Sequence, residues 1–559
     1  MNMPSTDPSV PLQWTAPGPG QWNLDRSHVN RPTTPINQHI QSTGTLRGSR
    51  RGFIEIGGPL EGLDFRFVNG MVYSRIRPLI RPDSPATKLP PKPLLALAIS
   101  LNPAMRRRRK IAEKVLVERP WRHVIQDWLA PGGLRDSIES ANLALQDVDL
   151  AALSDTELVA HARRTIEHAV NMFDEHFRLH THDLGPIGLL LDAGLRWGIQ
   201  PAEMIPLLEG ASPSTSGAEK VLRRIRDALD AAGANPRTLE DMRAISPSIA
   251  ADIDSFLRLR GRLVFSRYDI DGMTLAESPE VLATTIMSAR DGRERTAEVE
   301  HRVGERISRI RGLVPRDQLD TFDALLTEAR AAMDLRDDNG PHTVEWPLGL
   351  VRMAMLEIGS RMAALGTAHG SEDALELVPD EIENALSGTG PTADVLRARR
   401  IWRQTVYVED APRRLGPDEP APPLDVLPDA MARIVGFVQV VIAEAGLDGE
   451  VKSTGLDGVG IGETAYRGRA CVASSPEAAL ELMEPGDVLV VPCTTPAYNM
   501  VLSLAGAVVT AEGGALSHAA VLARELGIPA VVGASRAIQD IAHGSTVEVD
   551  PVAGVVRPI

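Results

Sequence analysis

The 559-residue sequence has few cysteines, no long apolar run and no recognisable targeting signal. Its two cysteines, Cys471 and Cys493, are too few for a disulfide scaffold or a four-cysteine zinc site, which predicts reduced thiols. No apolar run reaches the roughly 18 residues that a membrane helix needs. The N-terminus also lacks the basic start and apolar core of a signal peptide. We therefore expect a cytoplasmic protein with no membrane partner.

Aromatic residues are also scarce, at 4% of the chain, while the apolar content of 43% is ordinary for a globular, helix-rich protein. The net charge of −15 argues against a general nucleic-acid binder. The chain is too long for a single hydrophobic core, so we expect two to four domains.

Composition and the positions of turn-forming residues along the chain predict five segments. Asn69-Gly70 between alternating stretches is a strong hairpin signal. Six prolines between Pro412 and Pro428 predict an extended, semi-stiff connector, or alternatively a surface loop with no hinge role. The predicted segments are a disordered lead (1–20), an arm with a β-hairpin (21–91), a mainly helical domain (92–410), a proline-rich linker and helix (411–445), and a C-terminal α/β domain (446–559).

Val508–Val532 has the richest local pattern, reading as strand, glycine turn, helix and strand. Gly513 and Gly514 permit a turn that side chains would obstruct, and Ser517 is placed as a helix N-cap. His518 then falls in the first helical turn, where free backbone N–H groups and the helix dipole favour a bound anion. A phosphoryl group on the imidazole would suit this place, although a lone histidine near a helix start is usually a surface or capping residue.

A second group of chemical residues lies in the helical part. His176 and His180 are four residues apart and share a helical face, with His182 and Asp183 directly after. A metal site, core or helix-end histidines, and a substrate-facing role such as a general base all remain open for them. The stretch lacks the HExxH pattern of zinc proteases, and we expect no metal.

The string GGALSHAAVLARELGIPAVVG resembles the phosphohistidine segment of the swivelling domain in phosphoenolpyruvate-utilising (PEP-utilising) enzymes. The resemblance extends from Gly462 to Val556 through GRACVAS, PGDVLVVPCTTP and GSTVEVDPVAGVV. It implies a multidomain α+β protein, in which an N-terminal β-containing segment and a large helical domain precede a swivelling phosphohistidine domain. His518 would carry the phosphoryl group. The expected phosphate contacts are Gly513, Gly514, Ser517, Thr510 and Arg524. Thr510 is equally well interpreted as a hydroxyl at a strand end, and Arg524 as an exposed helix residue.

The helical part resembles the substrate-binding domain of rifampicin phosphotransferase and its relatives. The stretch FLRLRGRLVFSRYDIDGMTLAESPEVLATTI places Gly261, Arg262, Asp269, Glu277 and Pro279 at the family's positions. Arg262 would neutralise phosphate or pair with Asp269. The expected acceptor contacts are His180, His182, Asp183, Arg262 and Arg352, with Arg336 and Arg361 as further candidates.

The first ordered residues resemble the opening of proteins related to phenylphosphate synthase, in which a tryptophan, an aspartate, a histidine and a proline recur. Here these are Trp22, Asp25, His28 and Pro32. A structural role, in which Trp22 anchors the arm onto the body, is the favoured interpretation, because tryptophan buries a large area.

The resemblance implies a phosphotransferase. No Walker-type loop and no segment similar to the family's ATP-grasp domain is visible, and no downstream barrel follows the swivelling domain. We therefore expect a split enzyme that lacks its own ATP-binding part, with ATP and Mg²⁺ supplied through a separate ATP-grasp protein and a small hydroxylated molecule as acceptor. The alternatives are a non-catalytic small-molecule-binding or regulatory protein that retains the scaffold, and direct charging of His518 by phosphoenolpyruvate.

Overall fold

The computed structural model describes residues 11–26, 29–84, 87–289, 292–446, 453, 455–494, 498–502 and 504–559. These residues form two compact units. Unit 1 takes the chain up to His182 together with Tyr268–Gly272 and Asn339–Gly436, and unit 2 takes Asp183–Arg267, Met273–Asp338 and Phe437–Ile559.

The units do not follow the predicted segment boundaries. The helices predicted as a single domain, 92–410, are shared between the units, because the chain returns to unit 1 at Tyr268–Gly272 and again at Asn339. The C-terminal segment joins unit 2 together with the helices of 183–267 and 273–338.

Helices dominate the first 445 residues, and no described helix is long and apolar enough to cross a membrane. A π-helical turn, Pro341–Glu345, separates two of them. In chain order the helices are α1 (Pro35–Glu55), α2 (Lys92–Leu101), α3 (Pro103–Glu118), α4 (Trp121–Leu129), α5 (Leu134–Gln146), α6 (Asp155–Arg196), α7 (Pro201–Met204), α8 (Pro213–Ala231), α9 (Leu239–Ile245), α10 (Pro247–Arg260), α11 (Pro279–Ser288), α12 (Gly292–Arg311), α13 (Leu319–Gly340), α14 (Trp346–Ala364), α15 (Ala393–Thr405), α16 (Asp429–Ala445), α17 (Pro476–Leu482), α18 (Asn499–Leu502), α19 (His518–Leu526) and α20 (Ala537–Asp540).

The strands form one four-stranded sheet in unit 1, in the order β2-β3-β1-β4, and one seven-stranded sheet in unit 2, in the order β11-β10-β6-β7-β8-β9-β5. They are β1 (Trp22–Leu24), β2 (Leu60–Val68), β3 (Met71–Pro78), β4 (Arg414–Leu415), β5 (Val459–Ile461), β6 (Tyr466–Val472), β7 (Val488–Val491), β8 (Ala507–Thr510), β9 (Ala530–Val532), β10 (Thr546–Asp550) and β11 (Val555–Pro558). The predicted class, a large helical part with an N-terminal β segment and a C-terminal α/β domain, is confirmed.

The predicted hairpin is present in unit 1. Strands β2 and β3 are antiparallel and meet at Asn69 and Gly70, whose φ angles are 49° and 71°. Two consecutive positive φ angles define the turn type that matches the twist of a two-residue hairpin, and Asn-Gly is the pair best suited to it.

The N-terminal arm is anchored as predicted, but packing begins earlier than expected. Trp22 is 2% exposed and packs with Met71, Tyr73 and Leu415. Leu12, Trp14 and Ala16 pack on the same cluster. The prediction of a mobile lead is therefore wrong for residues 11–20, because their apolar side chains are held against this core. Residues 1–10 and the predicted family position His28 lie outside the described residues.

Part of the proline-rich connector is fixed to unit 1. Strand β4 pairs antiparallel with β1. Beyond it, Glu419 accepts two hydrogen bonds, each of 2.9 Å, from the buried guanidinium of Arg75. A bidentate arginine–carboxylate pair with a buried arginine is specific in its geometry. The start of the proline-rich connector is thus part of the unit 1 sheet.

The central strands of the seven-stranded sheet are buried on both faces. Alternate residues of its central strands, such as Leu489 and Val508, pack against α17, α18 and α19. The residues between them, such as Val488 and Val509, pack against α20 and the outer strands. Strands β6, β7, β8 and β9 run parallel. Parallel strands covered on both faces are apolar at every position, which accounts for the VLVV sequence of β7.

We predict opposite effects from two glycine substitutions in helices. Gly48 of α1 faces the backbone of Asp174, and a methyl group would overlap the Asp174 carbonyl oxygen. Gly304 of α12 has open space around it. Gly48→Ala should therefore destabilise the protein by about 1–3 kcal/mol through overpacking, whereas Gly304→Ala should stabilise it by roughly 0.5–1 kcal/mol. Thermal unfolding midpoints check this, and a Gly48→Ala protein as stable as wild type would contradict the described packing.

Candidate phosphohistidine site

The turn before α19 is built by glycine and a helix cap. Strand β8 ends at Thr510, and Gly513 has a φ of 116°, a backbone conformation that side chains strain. Ser517 is the N-cap of α19, and its Oγ accepts a hydrogen bond from the backbone N–H of Ala520 at 3.4 Å. His518 is thereby the first residue of α19, as the sequence predicted, and its side chain is partly exposed.

The imidazole of His518 is oriented by Thr494, which was not among the residues predicted from the sequence. Thr494 Oγ1 lies 2.9 Å from His518 Nδ1. Thr494 follows β7, the strand that pairs in parallel with β8. The carboxyl ends of parallel strands meet at the same edge of the sheet, where such folds bind their ligands. Thr494 could therefore have been identified from its position after the apolar run of β7, because that strand pairs with β8, which precedes the histidine turn.

The end of α16 supports the histidine turn from behind. The backbone N–H of Leu516 donates to the Glu444 carbonyl oxygen at 2.8 Å. A β-carbon on Gly446 would lie 2.7 Å from Gly513 Cα, and one on Gly514 would overlap the Glu444 carbonyl oxygen. The two backbones are therefore in contact, and this close packing accounts for the glycine at position 514. Its predicted phosphate contact stays a prediction.

Thr510 and Arg524 are both engaged with the turn itself. Thr510 is fully buried and donates from Oγ1 to the Glu512 carbonyl oxygen at 2.7 Å. Arg524 donates from Nη1 to the Ala515 carbonyl oxygen at 2.5 Å. Burial lowers the pKa of Arg524 to about 10, although the nearby carboxylate of Glu209 opposes that shift. In this arrangement both side chains hold the loop that presents His518.

Within unit 2, the C-terminal segment that carries His518 contacts the neighbouring helices through charged groups. Glu525, near the end of α19, accepts a hydrogen bond from the backbone N–H of Gly210 at 3.0 Å. Arg306 of α12 bridges Glu209 at 2.8 Å and Glu463 at 2.7 Å. The histidine helix is thus seated against the segment that follows α7.

Asp337 of α13 lies in the same surroundings. Its Oδ2 is enclosed and has no hydrogen-bond partner among the residues that the structure describes. Burial raises the pKa of Asp337 to about 7. The positive charge of Arg336 opposes this shift, and the carboxylates of Glu525 and Asp334 add to it.

The residues predicted as acceptor contacts have structural partners. Buried His182 lies with Nε2 2.6 Å from the Glu55 carboxylate. Asp183 pairs with Arg336 at 3.5 Å. Arg352 is 4% exposed and donates to the Ile270 carbonyl oxygen at 3.1 Å.

The predicted motif around Asp269 also makes structural contacts. Asp269 accepts hydrogen bonds from the backbone N–H and hydroxyl of Thr34. Glu277 accepts from the hydroxyl of Thr274 in a capping box, and Pro279 is the first residue of α11. Arg262 is partly exposed.

Arg361 pairs with Asp155 and Glu357 and donates to the Leu150 carbonyl oxygen. It therefore joins α14 to the start of α6.

The histidine cluster of α6 separates into different contacts. His176 Nδ1 lies 3.1 Å from Thr343 Oγ1, and the ring centroids of His176 and His180 are 4.5 Å apart. Across the described ranges, no group of three or more His, Cys, Asp or Glu side chains is arranged to hold a metal ion.

We predict that Asp337 makes stability pH-dependent. Its pKa in the folded protein, about 7, lies above its ordinary value of 3.8, so the folded state retains a proton that the unfolded chain releases. This contribution is fully present below the ordinary value and is lost as the pH rises towards 7. Asp337→Asn, which stays neutral, should be more stable than wild type above pH 7 by on the order of 2 kcal/mol.

Thermal unfolding of both proteins across this pH range measures the difference. Asp317→Asn, at an exposed carboxylate of the same unit, is the control and should show no such trend. An Asp337→Asn protein that follows the wild-type profile would show that Asp337 is ionised in the folded protein.

Comparison with known proteins places the C-terminal part of the chain. Residues 483–554 match the family model of the PEP-utilising enzyme, mobile domain. A phosphoenolpyruvate synthase of Aeropyrum pernix is 49% identical over 89 residues, which cover 16% of this chain and 11% of the relative. An uncharacterized phosphotransferase of Bacillus subtilis, YvkC, is 32% identical over 239 residues, or 43% of this chain and 27% of the relative.

Similarity over nearly the whole chain is found with a larger protein. A chondramide synthase of Chondromyces crocatus is 27% identical in an alignment that covers 99% of this chain and 14% of the relative. The chain thus spans 11% to 27% of the lengths of these three relatives. The mobile-domain match contains Thr494, the glycine turn and His518, the residues that the structure brings together. By this match and this geometry, residues 483–554 carry the mobile domain of the PEP-utilising enzymes.

Proposed function

We propose that this chain is the phosphotransferase component that carries a phosphoryl group on His518 to a hydroxylated small molecule bound by its helical part. The mobile domain supports a phosphotransferase role. The observation that carries the proposal is the 2.9 Å contact of His518 Nδ1 with Thr494 Oγ1 at the start of α19. This contact fixes the orientation of the imidazole through Nδ1.

The contact defines the protonation that the reaction needs. For Nε2 to attack phosphorus it must bear the lone pair, and in that tautomer Nδ1 carries the proton and donates it to Thr494 Oγ1. Nε2 is then the nucleophile. The N-terminal N–H groups of α19 and its dipole stabilise the negative phosphoryl oxygens beside it.

Two in-line transfers follow, and their bonds balance. In the first, the Nε2 lone pair forms a P–N bond while the donor's P–O bond breaks and its electron pair leaves with the donor oxygen. In the second, the acceptor oxygen attacks phosphorus, the P–N bond breaks, and the electron pair returns to Nε2. The acceptor hydroxyl gives its proton to a base.

The donor is proposed from the resemblance in the sequence. ATP and Mg²⁺ would act through an ATP-grasp protein, similar to the N-terminal part of PEP synthase, that charges His518. Mg²⁺ would neutralise phosphate charge during that step. Thr510, Gly513, Gly514, Ser517 and Arg524 stay the proposed phosphate neighbours, and His180, His182, Asp183, Arg262 and Arg352 the proposed acceptor contacts.

We predict that phosphorylation depends on His518. The protein is incubated with labelled ATP, Mg²⁺ and a candidate ATP-grasp protein, and its intact mass and acid-labile, base-stable phosphate are measured. Wild type should gain one phosphoryl group, and His518→Ala should gain none. His301→Ala removes an exposed histidine of unit 2 and should be labelled like wild type.

The same experiment separates the alternatives. Labelling by phosphoenolpyruvate alone would favour direct charging. An absence of label with both donors would favour the non-catalytic binding or regulatory protein, while equal labelling of His518→Ala and wild type would place the phosphoryl group on another residue.

We also predict that Thr494 sets the rate of charging. Thr494→Val removes the hydroxyl that holds Nδ1 and should slow phosphohistidine formation roughly tenfold, the effect of losing about 1–2 kcal/mol of hydrogen bonding. Thr494→Ser keeps the hydroxyl and should recover most of the rate. Rapid-quench labelling measures both variants, and a Thr494→Val protein charged at the wild-type rate would remove Thr494 from the mechanism.

A further inference from the structure

Unit 1 contains a cavity of about 490 Å³ that the carrier chemistry does not use. Its walls come from the β2–β3 hairpin, the first turns of α1 and the second half of α15, and all of its lining residues belong to unit 1. Small-molecule sites in proteins have volumes of roughly 300–1,000 Å³. The cavity is therefore large enough to hold a small organic ligand.

Hydrogen bonds hold the walls of this cavity to one another. The backbone N–H of Thr33 donates to the Gly70 carbonyl oxygen at 2.8 Å, which joins the start of α1 to the hairpin turn. Gln38 Nε2 donates to the Thr33 carbonyl oxygen at 2.7 Å. Arg403 Nη1 donates to the Pro32 carbonyl oxygen at 3.3 Å, which joins α15 to the same segment. The cavity is thus preformed within unit 1.

The lining of the cavity carries more positive than negative charge. The described lining residues include three arginines, Arg66, Arg399 and Arg403, and one carboxylate, Glu376. Arg403 donates to both oxygens of Glu376, at 2.7 to 3.2 Å, so this negative charge is compensated within the wall. Arg399 likewise makes a bidentate pair with Glu381, at 2.7 and 2.9 Å. An anion is therefore better suited to this cavity than a cation.

Arg66 is the lining arginine whose donors are least used. Its side chain is half-exposed, and its Nε donates to Asp64 Oδ1 at 3.1 Å. The Asp64 carboxylate is shared with Arg77, at 3.3 Å. The two Nη groups of Arg66 have no hydrogen-bond partner among the residues that the structure describes. An arginine fork binds a carboxylate through two parallel N–H bonds. Arg66 thus has the donors that a ligand carboxylate needs.

Trp402 supplies an aromatic wall and a further donor. Its side chain is 8% exposed and packs with Met71 and Tyr73. A buried tryptophan N–H usually has a hydrogen-bond partner. Trp402 Nε1 has none in the described part of the chain, and it is not one of the atoms that the protein encloses. Phe67 adds a second aromatic side chain to the lining. The cavity therefore combines aromatic surface with donors that remain available to a ligand.

We propose that this cavity binds a small aromatic carboxylate. The carboxylate accepts hydrogen bonds from the Nη groups of Arg66, and the aromatic body lies against Trp402 and Phe67. The N–H of Trp402 donates to an oxygen of the same ligand. Binding is non-covalent and involves no phosphoryl group, so this site goes beyond the proposed carrier function.

The test uses 2-naphthoate, with 2-naphthamide as an uncharged probe of the same shape. Each probe is titrated into the full chain at pH 7 in an isothermal titration calorimeter. Wild type should bind naphthoate at one site and roughly tenfold or more tightly than naphthamide, because hydrogen bonds to a charged group are stronger than those between neutral groups.

Three variants locate the binding. Arg66→Gln should remove the preference for naphthoate and leave the affinity for naphthamide nearly unchanged. Trp402→Phe keeps an aromatic ring but lacks the N–H, so it should weaken naphthoate binding roughly threefold to tenfold. Arg109→Gln removes an exposed arginine of unit 1 that pairs with Glu113 at 2.7 Å, and it should bind both probes as wild type does. Thermal unfolding establishes that each variant is folded.

The proposal is overturned if wild type binds neither probe, if it binds both equally well, or if Arg66→Gln keeps the preference for naphthoate. The assay contains no phosphoryl donor. A negative result here therefore leaves the carrier role of His518 standing, and a failure to label His518 leaves this site standing.

Discussion

The position of His518 depends on a contact between two stretches of backbone. The end of α16 and the turn before α19 touch at Gly446, Gly513 and Gly514, where no side chain fits. The 2.8 Å hydrogen bond from Leu516 to Glu444 ties the two stretches together. Any residue larger than glycine would separate them and move the start of α19. The glycines therefore serve packing as much as the turn, and the imidazole inherits its position from that packing.

Charged groups inside the helical part follow a different constraint. A buried charge is costly unless a partner compensates it, so each carboxylate or guanidinium removed from water needs a partner. Arg403, 4% exposed, accordingly binds both Glu376 and Asp271. Most residues that looked chemical in the sequence meet this need. Their types suit catalysis and ion pairing equally, and sequence spacing does not separate the two uses.

How much the sequence predicts depends on how local each feature is. The Asn69-Gly70 turn and the start of α19 at His518 follow from neighbouring residues, and both were predicted correctly. Thr494 was missed because its partner lies 24 residues away and only the pairing of β7 with β8 brings them together. The early lead was read as mobile from its proline and glycine content, but Trp14 packs on the Trp22 cluster. The division into units likewise depends on long-range packing that composition does not encode.

The contact with Thr494 has a chemical consequence for the proposed carrier role of His518. A histidine accepts a phosphoryl group at either ring nitrogen, and the two isomers differ in their lifetime in water and in the reagents that detect them. In the proposed carrier role, with Nδ1 in contact with Thr494, Nε2 would receive the phosphoryl group and give the tele isomer, in which phosphorus is bound to the nitrogen remote from the β-carbon. The Thr494 hydroxyl would thus determine which of two phosphohistidine isomers of equal mass the phosphorylated protein forms.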